Sequence, residues 1–128
     1  MLIIEDEEYL RELYQELFQA KGYTADIFEN GLEGLNALEK TSYDVVLLDI
    51  ILPDIHGLDI LAKIKQNDKT KQIPVILLTN LDQDIMVRKG IALGADGYLV
   101  KVSYTPEEIV QKVEEILQKY HTQKKNNS

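Results

Sequence analysis

The sequence predicts a single doubly wound α/β domain, a (βα)5 three-layer sandwich whose parallel sheet has the strand order 2-1-3-4-5. Short apolar runs alternate with longer stretches whose apolar residues recur at helical spacing. This alternation is typical of a parallel sheet with helices on both faces. The chain has 128 residues, 45% of them hydrophobic, which is enough for one sizeable core.

Five short apolar runs are predicted to form the strands. They cover residues 2–5, 24–28, 45–49, 75–79 and 98–100. The first intervening helix has the clearest signal, because its apolar residues form one continuous stripe along a helical surface that ends near Gly22. The stripe consists of Leu10, Leu13, Tyr14, Leu17 and Phe18.

The next three helices are predicted from shorter stripes. Two of them cover about residues 32–40 and 58–66. The third lies between Asp82 and Leu93 and is the least regular, because Gly90 interrupts it. These three segments complete the alternation of strands and helices in the middle of the chain.

The last helix has a well-defined start. Thr105 is predicted to be its N-cap, Pro106 its first residue and Glu108 the second member of a capping box. The apolar stripe of this helix continues to Tyr120. We therefore expect five β/α units in one domain.

Composition and charge exclude several classes of function. Lys and Arg number 14 against 22 Asp and Glu, and the net charge of −8 argues against direct contact of this domain with nucleic acid. The chain has no Cys, which excludes disulfides and thiolate metal sites. Its apolar runs are no longer than that of residues 45–48, and no basic segment precedes them, so we expect a cytoplasmic protein with no membrane partner.

Polar side chains follow four of the five predicted strands. Glu5 and Asp6 follow the first, Asp49 ends the third, Thr79 ends the fourth and Lys101 follows the fifth. Ligands of such sheets bind beyond the carboxyl ends of the strands, so these side chains are expected to converge. Three crowded carboxylates without His or Cys suit a hard divalent cation, and Mg²⁺ fits best at a phosphoryl site.

Six segments of the chain carry a resemblance to a known family. They are Leu2-Ile3-Ile4-Glu5-Asp6-Glu7, Val45-Val46-Leu47-Leu48-Asp49, Leu52-Pro53, Gly57, Pro74-Val75-Ile76-Leu77-Leu78-Thr79 and Gly94-Ala95-Asp96-Gly97-Tyr98-Leu99-Val100-Lys101. Because all occur in order and at the family's separations, the chain resembles the receiver domain of bacterial two-component response regulators over about residues 2–120. The resemblance implies a flavodoxin-like fold for residues 1–121, with 122–128 as a flexible tail or a truncated linker.

The resemblance also implies a role for each site residue. Asp49 would accept a phosphoryl group from a sensor histidine kinase or a phosphotransfer protein and become an aspartyl phosphate. Asp6 and Asp49 would bind Mg²⁺ directly, Glu5 through a water molecule and Ile51 through its backbone carbonyl. Lys101 would stabilise the charge of the transferred phosphoryl group. Such a domain catalyses its own modification and is not an enzyme for external substrates.

The family's switch involves two further residues. Thr79 would hydrogen-bond to the phosphoryl group and draw its loop inward, so that Tyr98 can rotate into the vacated space. The change would be read on the surface of the fourth helix, fifth strand and fifth helix. Partner proteins bind this surface in the family, and a homodimer through it is one such expectation.

Two positions depart from the family pattern. Asn80 stands where a small residue is usual, and we expect its bulk to slow phosphorylation. Val102 stands where Pro is usual, and a cis Lys101-Val102 bond would cost about 3 kcal/mol, which predicts a trans bond and a differently aimed Lys101. Ile51 and Leu81, two residues beyond Asp49 and Thr79, are apolar and unable to orient a water, which predicts a long-lived phosphoryl group.

Other interpretations of these residues remain open at this stage. The chain can be an unphosphorylated pseudo-receiver that acts as a binding module, which Asn80 and Val102 would favour. A Mg²⁺-dependent aspartyl phosphatase is a weaker hypothesis, because such enzymes need an acid-base carboxylate where this chain has Ile51. His56 is a tempting acid-base residue, but its place before Gly57 favours an exposed turn residue.

Overall fold

In the computed structural model, which describes residues 1–80 and 84–126, a five-stranded parallel sheet forms the centre of the domain. Its strands are β1 (Leu2–Ile4), β2 (Asp26–Phe28), β3 (Val46–Asp49), β4 (Val75–Thr79) and β5 (Gly97–Val100). They lie in the order β2-β1-β3-β4-β5, which confirms the predicted topology. Successive strands are added on one side of β1 and then on the other, so the strand order reverses between β1 and β3. A crevice is expected at the carboxyl ends of these two strands.

The five helices of the described residues cover both faces of the sheet. They are α1 (Glu8–Ala20), α2 (Gly31–Lys40), α3 (Gly57–Gln66), α4 (Asp84–Ala92) and α5 (Pro106–Asn126). Helices α1 and α5 pack on one face, and α2 and α3 on the other, where Met86 of α4 also contacts the core. The three predicted layers are therefore present.

Most element boundaries differ from the predicted ones by one or two residues. Helix α5 continues past Tyr120 to Asn126, and a short 3-10 turn that the sequence did not indicate, Lys101–Ser103, follows β5. The capping box is confirmed: the Glu108 N–H donates to Thr105 Oγ1 at 3.2 Å and the Thr105 N–H donates to Glu108 Oε1 at 3.0 Å. None of the described helices has the length and apolar character needed to cross a bilayer.

The alternation of side chains along the strands positions the acidic residues. Ile3 and Leu47 are fully buried against α1 and α5. Each such apolar side chain contributes about 1.5–3 kcal/mol of burial free energy. Because successive side chains alternate, Glu5 and Asp49 lie two residues further on the same face. The packing of β1 and β3 thus directs both carboxylates toward the layer formed by α1 and α5.

Helix α3 begins directly beneath the end of β3. A Cβ atom at Gly57 would collide with the backbone of Asp49 and Ile50, so only glycine allows this approach. The Gly57 N–H donates to the Ile50 carbonyl at 2.7 Å, and His56 Nδ1 accepts the Leu58 N–H at 3.1 Å. His56 is half-buried, not exposed as predicted, because its imidazole caps α3.

Candidate functional site

The polar residues predicted from the strand ends converge at the carboxyl edge of the sheet. Glu5 is 0% exposed, Asp49 2% and Lys101 7%, whereas Asp6 remains open to solvent. Thr79 is buried at the end of β4, where its register partner is Val100, the residue before Lys101. The site therefore has a buried floor and one exposed carboxylate at its rim.

A single ammonium group links the two buried acids. Lys101 Nζ lies 2.7 Å from Glu5 Oε1 and 3.1 Å from Asp49 Oδ2. The remaining carboxylate oxygens accept backbone N–H groups, Glu5 Oε2 from Glu7 at 3.2 Å and Asp49 Oδ1 from Ile51 at 3.2 Å. These bonds hold both carboxylates in place, and an oxygen of each remains within 4.8 Å of one on the exposed Asp6.

Burial and like charge shape the protonation of the site. Burial raises the pKa of Glu5 to about 8, with a further contribution from the Asp49 charge that Lys101 only partly offsets. Burial also raises the pKa of Asp49, against the opposing effects of Lys101 and the Ile51 N–H. For Lys101, burial alone would lower the pKa, but the two carboxylates outweigh it and raise the pKa. Full ionisation of both acids would place two negative charges against the single ammonium of Lys101, and burial disfavours that state.

The donor set fits a hard divalent cation. One carboxylate oxygen each from Glu5, Asp6 and Asp49 lies within 4.8 Å of the others. Oxygen donors at this spacing suit Mg²⁺, which keeps several waters and takes few protein ligands. A bound cation would also supply the charge that Lys101 alone does not. These three residues would hold the metal, and its chemistry would be the neutralisation of phosphoryl oxygens.

Thr79, Tyr98 and Ile51 are the predicted switch and hydrolysis residues that the structure describes. Tyr98 on β5 is 47% exposed, and the Ile51 side chain is 52% exposed beside Asp49. Leu81, the second predicted hydrolysis residue, lies outside the described residues. An exposed apolar side chain thus stands two residues beyond Asp49.

The two departures from the family pattern can both be placed in the structure. The Lys101–Val102 bond is trans, as predicted, and after the 3-10 turn the Lys101 ammonium contacts Glu5 and Asp49. A different aim of Lys101 from that in the family stays a prediction. Asn80 does extend across the rim, where its side-chain amide donates to Glu7 Oε1 at 3.4 Å.

Sequence reasoning missed Arg11 on α1. Its Nη1 donates to the Asp6 carbonyl at 2.7 Å and to the Glu5 carbonyl at 3.1 Å, so it contacts the loop that carries both acids. The only signal was a basic residue on the first turns of an otherwise acidic helix start. Nothing in the apolar stripe of α1 indicates which way such a side chain turns.

Fold and site together define a class: a doubly wound domain with an acidic cluster at the switch point of its sheet and a buried aspartate opposite a lysine. The family model described as "Response regulator receiver domain" matches residues 1–114. The chain belongs to this family.

Individual relatives agree with this assignment. The transcriptional regulatory protein PcoR of Escherichia coli is 36% identical over 123 residues, which are 96% of this chain and 53% of PcoR. The chain thus spans about half the length of the curated relatives it matches.

Solved structures show the same fold. The chemotaxis response regulator CheY4 of Vibrio cholerae superposes with a TM-score of 0.83 at 25% identity, over 90% of this chain and 95% of CheY4. The Mn²⁺-bound form of the response regulator Rcp1 gives 0.80 at 29% identity, over 88% and 89% of the two chains.

Proposed function

We propose that this domain is a phosphorylation-dependent switch of a two-component phosphorelay. Asp49 accepts a phosphoryl group from the phosphohistidine of a cytoplasmic sensor histidine kinase or phosphotransfer protein, in the presence of Mg²⁺. One observation carries the proposal: a buried aspartate lies 3.1 Å from the Lys101 ammonium and within 4.8 Å of two other acids. Such an arrangement suits phosphoryl transfer, where catalysis is mainly positioning and charge stabilisation.

The chain's own residues account for most of the transfer step. A carboxylate oxygen of Asp49 attacks phosphorus, the P–N bond of the donor breaks, and its electron pair returns to the imidazole. Lys101 is placed to donate to a phosphoryl oxygen on Asp49, because its ammonium already lies against that carboxylate. The Ile51 N–H holds Asp49 Oδ1 and thereby restricts rotation of the nucleophile.

Direct metal ligation is assigned to Asp6, Asp49 and the Ile51 carbonyl, with Glu5 acting through a water. This assignment is supported by burial: Asp6 is exposed and accessible, whereas Glu5 is buried and already bonded to Lys101 and to the Glu7 N–H. The Mn²⁺-bound form of the related Rcp1 supports a divalent cation in this family fold.

The phosphorylated state alters the surface formed by α4, β5 and α5. Thr79 is buried at the end of β4 and would bond to the new phosphoryl oxygens, and Tyr98, now 47% exposed, would turn inward. The change in this surface would govern binding of partner proteins or of a second copy of the chain.

Mass spectrometry of the intact protein tests the proposal. The parent and Asp49→Asn are incubated with acetyl phosphate and Mg²⁺, and only the parent is expected to gain one phosphoryl group. An unmodified parent, even with a cognate kinase, would favour a pseudo-receiver, for which the Asn80 contact across the rim is the supporting observation. Phosphate release from added esters would instead favour a phosphatase.

A further inference from the structure

Arg11 is bonded to the backbone of the acidic loop and not to its carboxylates. Its Nη1 donates to the Glu5 carbonyl at 3.1 Å and to the Asp6 carbonyl at 2.7 Å. On the far side, its Nη2 lies 3.6 Å from Glu29 Oε2, just beyond the end of β2. The Arg11 side chain is 17% exposed and the Glu29 side chain 64%. The bonds of Arg11 to the two carbonyls are therefore better shielded from solvent than its ion pair with Glu29.

The Asp6 carboxylate depends on its backbone for its position. Within the part of the chain that the structure describes, no hydrogen bond holds this carboxylate, although it lies within reach of the Glu5 and Asp49 oxygens. Glu5 differs, because Lys101 and the Glu7 N–H fix both of its oxygens. The backbone from which the Asp6 side chain extends is therefore its main restraint, and Arg11 bonds to that backbone.

We propose that Arg11 is a positioning residue for the metal site: it holds the Glu5 and Asp6 peptide groups so that the three carboxylates are prearranged for Mg²⁺. The inference rests on the proposed function. A ligand held before binding loses less conformational freedom when the cation arrives. Groups that orient metal ligands without touching the metal commonly change affinity by about 10-fold to 100-fold when removed.

The guanidinium acts through its geometry as well as its charge. It lies on the backbone side of the acids, where its positive charge partly balances the negative charge of the loop. Any cation at this place would have the same electrostatic effect. Two carbonyls 2.7 and 3.1 Å from one nitrogen require a donor that reaches both at once. Lysine keeps the charge on a shorter side chain, so Arg11→Lys separates the two contributions.

Metal titration followed by NMR tests the proposal. The Mg²⁺ dissociation constant is measured on the full chain for the parent, Arg11→Gln and Arg11→Lys. We expect Arg11→Gln to bind Mg²⁺ about tenfold more weakly and Arg11→Lys to fall between it and the parent. The matched control is Arg88→Gln, which removes an exposed arginine of α4 and should stay within about twofold of the parent.

The dependence of phosphorylation on Mg²⁺ gives a second readout. With acetyl phosphate as donor, Arg11→Gln should need about tenfold more Mg²⁺ for half-maximal rate, while its rate at saturating Mg²⁺ stays within about twofold of the parent. A residue that serves only stability would lower the melting temperature in EDTA and leave the dissociation constant unchanged.

Each remaining outcome is decisive. Equal Mg²⁺ affinity of the parent and Arg11→Gln overturns the inference, and so does an equal loss in Arg88→Gln. If Arg11→Gln does not fold, Arg11→Lys decides by the same comparison. If the parent is phosphorylated and Arg11→Gln binds Mg²⁺ as tightly as the parent, only the role of Arg11 is refuted. If the parent binds no Mg²⁺, the proposed function is refuted as well.

Discussion

Asn80 is the residue at which this chain adds bulk to the mouth of the site. Its amide donates to Glu7 Oε1 at 3.4 Å, an exposed contact that joins the loops after β4 and β1. Such a bond contributes less than about 1 kcal/mol, so its removal can change a rate by up to about fivefold. We predict that Asn80→Ala is phosphorylated by acetyl phosphate about two- to fivefold faster, as measured by intact mass over time.

The control for this prediction is Asn36→Ala, since Asn36 is an exposed residue of α2 and has no contact with the acidic loop. It should react at the parent's rate. A slower Asn80→Ala would show that the amide assists phosphoryl transfer and does not obstruct it.

Under the proposed function, Ile51 is expected to govern the approach of water to Asp49 once this residue is phosphorylated. Its side chain is 52% exposed two residues beyond the nucleophile and offers no hydrogen bond to an attacking water. We predict that Ile51→Asn shortens the half-life of the aspartyl phosphate by about tenfold, because an amide can orient that water. The decay of the phosphorylated mass after removal of the donor measures it. An equal shortening in Ile51→Val would indicate that packing, not polarity, sets the lifetime.

At the scale of elements, Asp54 caps α2 from the loop between β3 and α3. Its two carboxylate oxygens accept the N–H groups of Gly31 and Leu32, each at 2.9 Å. We predict that Asp54→Ala lowers the free energy of unfolding by about 1 kcal/mol, the usual loss for a helix cap. Urea denaturation at neutral pH measures this. Asp68→Ala, which removes an exposed ion pair with Lys71, should change it by less than about 0.5 kcal/mol.

The same cap predicts a pH dependence. Desolvation opposes the shift, but the backbone N–H donors outweigh it and lower the pKa of Asp54 below its ordinary 3.8. A carboxylate whose pKa is lower in the folded state stabilises the fold above its unfolded pKa, and this contribution is lost as the pH falls through the folded pKa. The stability difference between the parent and Asp54→Asn should therefore shrink as the pH drops below 3.8. A difference that is constant down to pH 2 would contradict this.

Strands and helix starts could be predicted because their signals are local. β4 and the Thr105 capping box follow from apolar runs and side-chain chemistry within a few residues. Contacts between distant segments could not be read in this way. The bonds of Arg11 to the β1–α1 loop and of Asp54 to α2 depend on how loops approach one another in space.

The sequence predicted which strand-end residues form the site but not how they contact one another. A parallel sheet brings the carboxyl ends of its strands together, which is why Glu5, Asp49 and Lys101 could be placed in one site from topology alone. The shared ammonium could not be foreseen, because it depends on the 3-10 turn that redirects the chain after β5.

At the scale of the whole molecule, the sheet gathers like charges that do not stabilise the fold. Burial raises the pKa of Asp49, so its ionised form at neutral pH opposes folding, while Lys101 is the cation shared by both buried acids. In magnesium-free buffer we predict that Asp49→Asn raises the free energy of unfolding, because it removes this unfavourable ionisation. Lys101→Met should lower it by about 3 kcal/mol, because the two buried acids then lose the cation that they share.

Mg²⁺ should reduce the difference in stability between Asp49→Asn and the parent. A cation that binds the folded state stabilises it by mass action, and the parent offers it all three carboxylates whereas Asp49→Asn offers two. Thermal denaturation with EDTA and then with excess Mg²⁺ gives the comparison, and the parent should gain more stability than Asp49→Asn. If Asp49→Asn were less stable than the parent in EDTA, the carboxylate would be a net stabilising partner of Lys101. The sheet would then hold its acids without the electrostatic strain that a metal relieves.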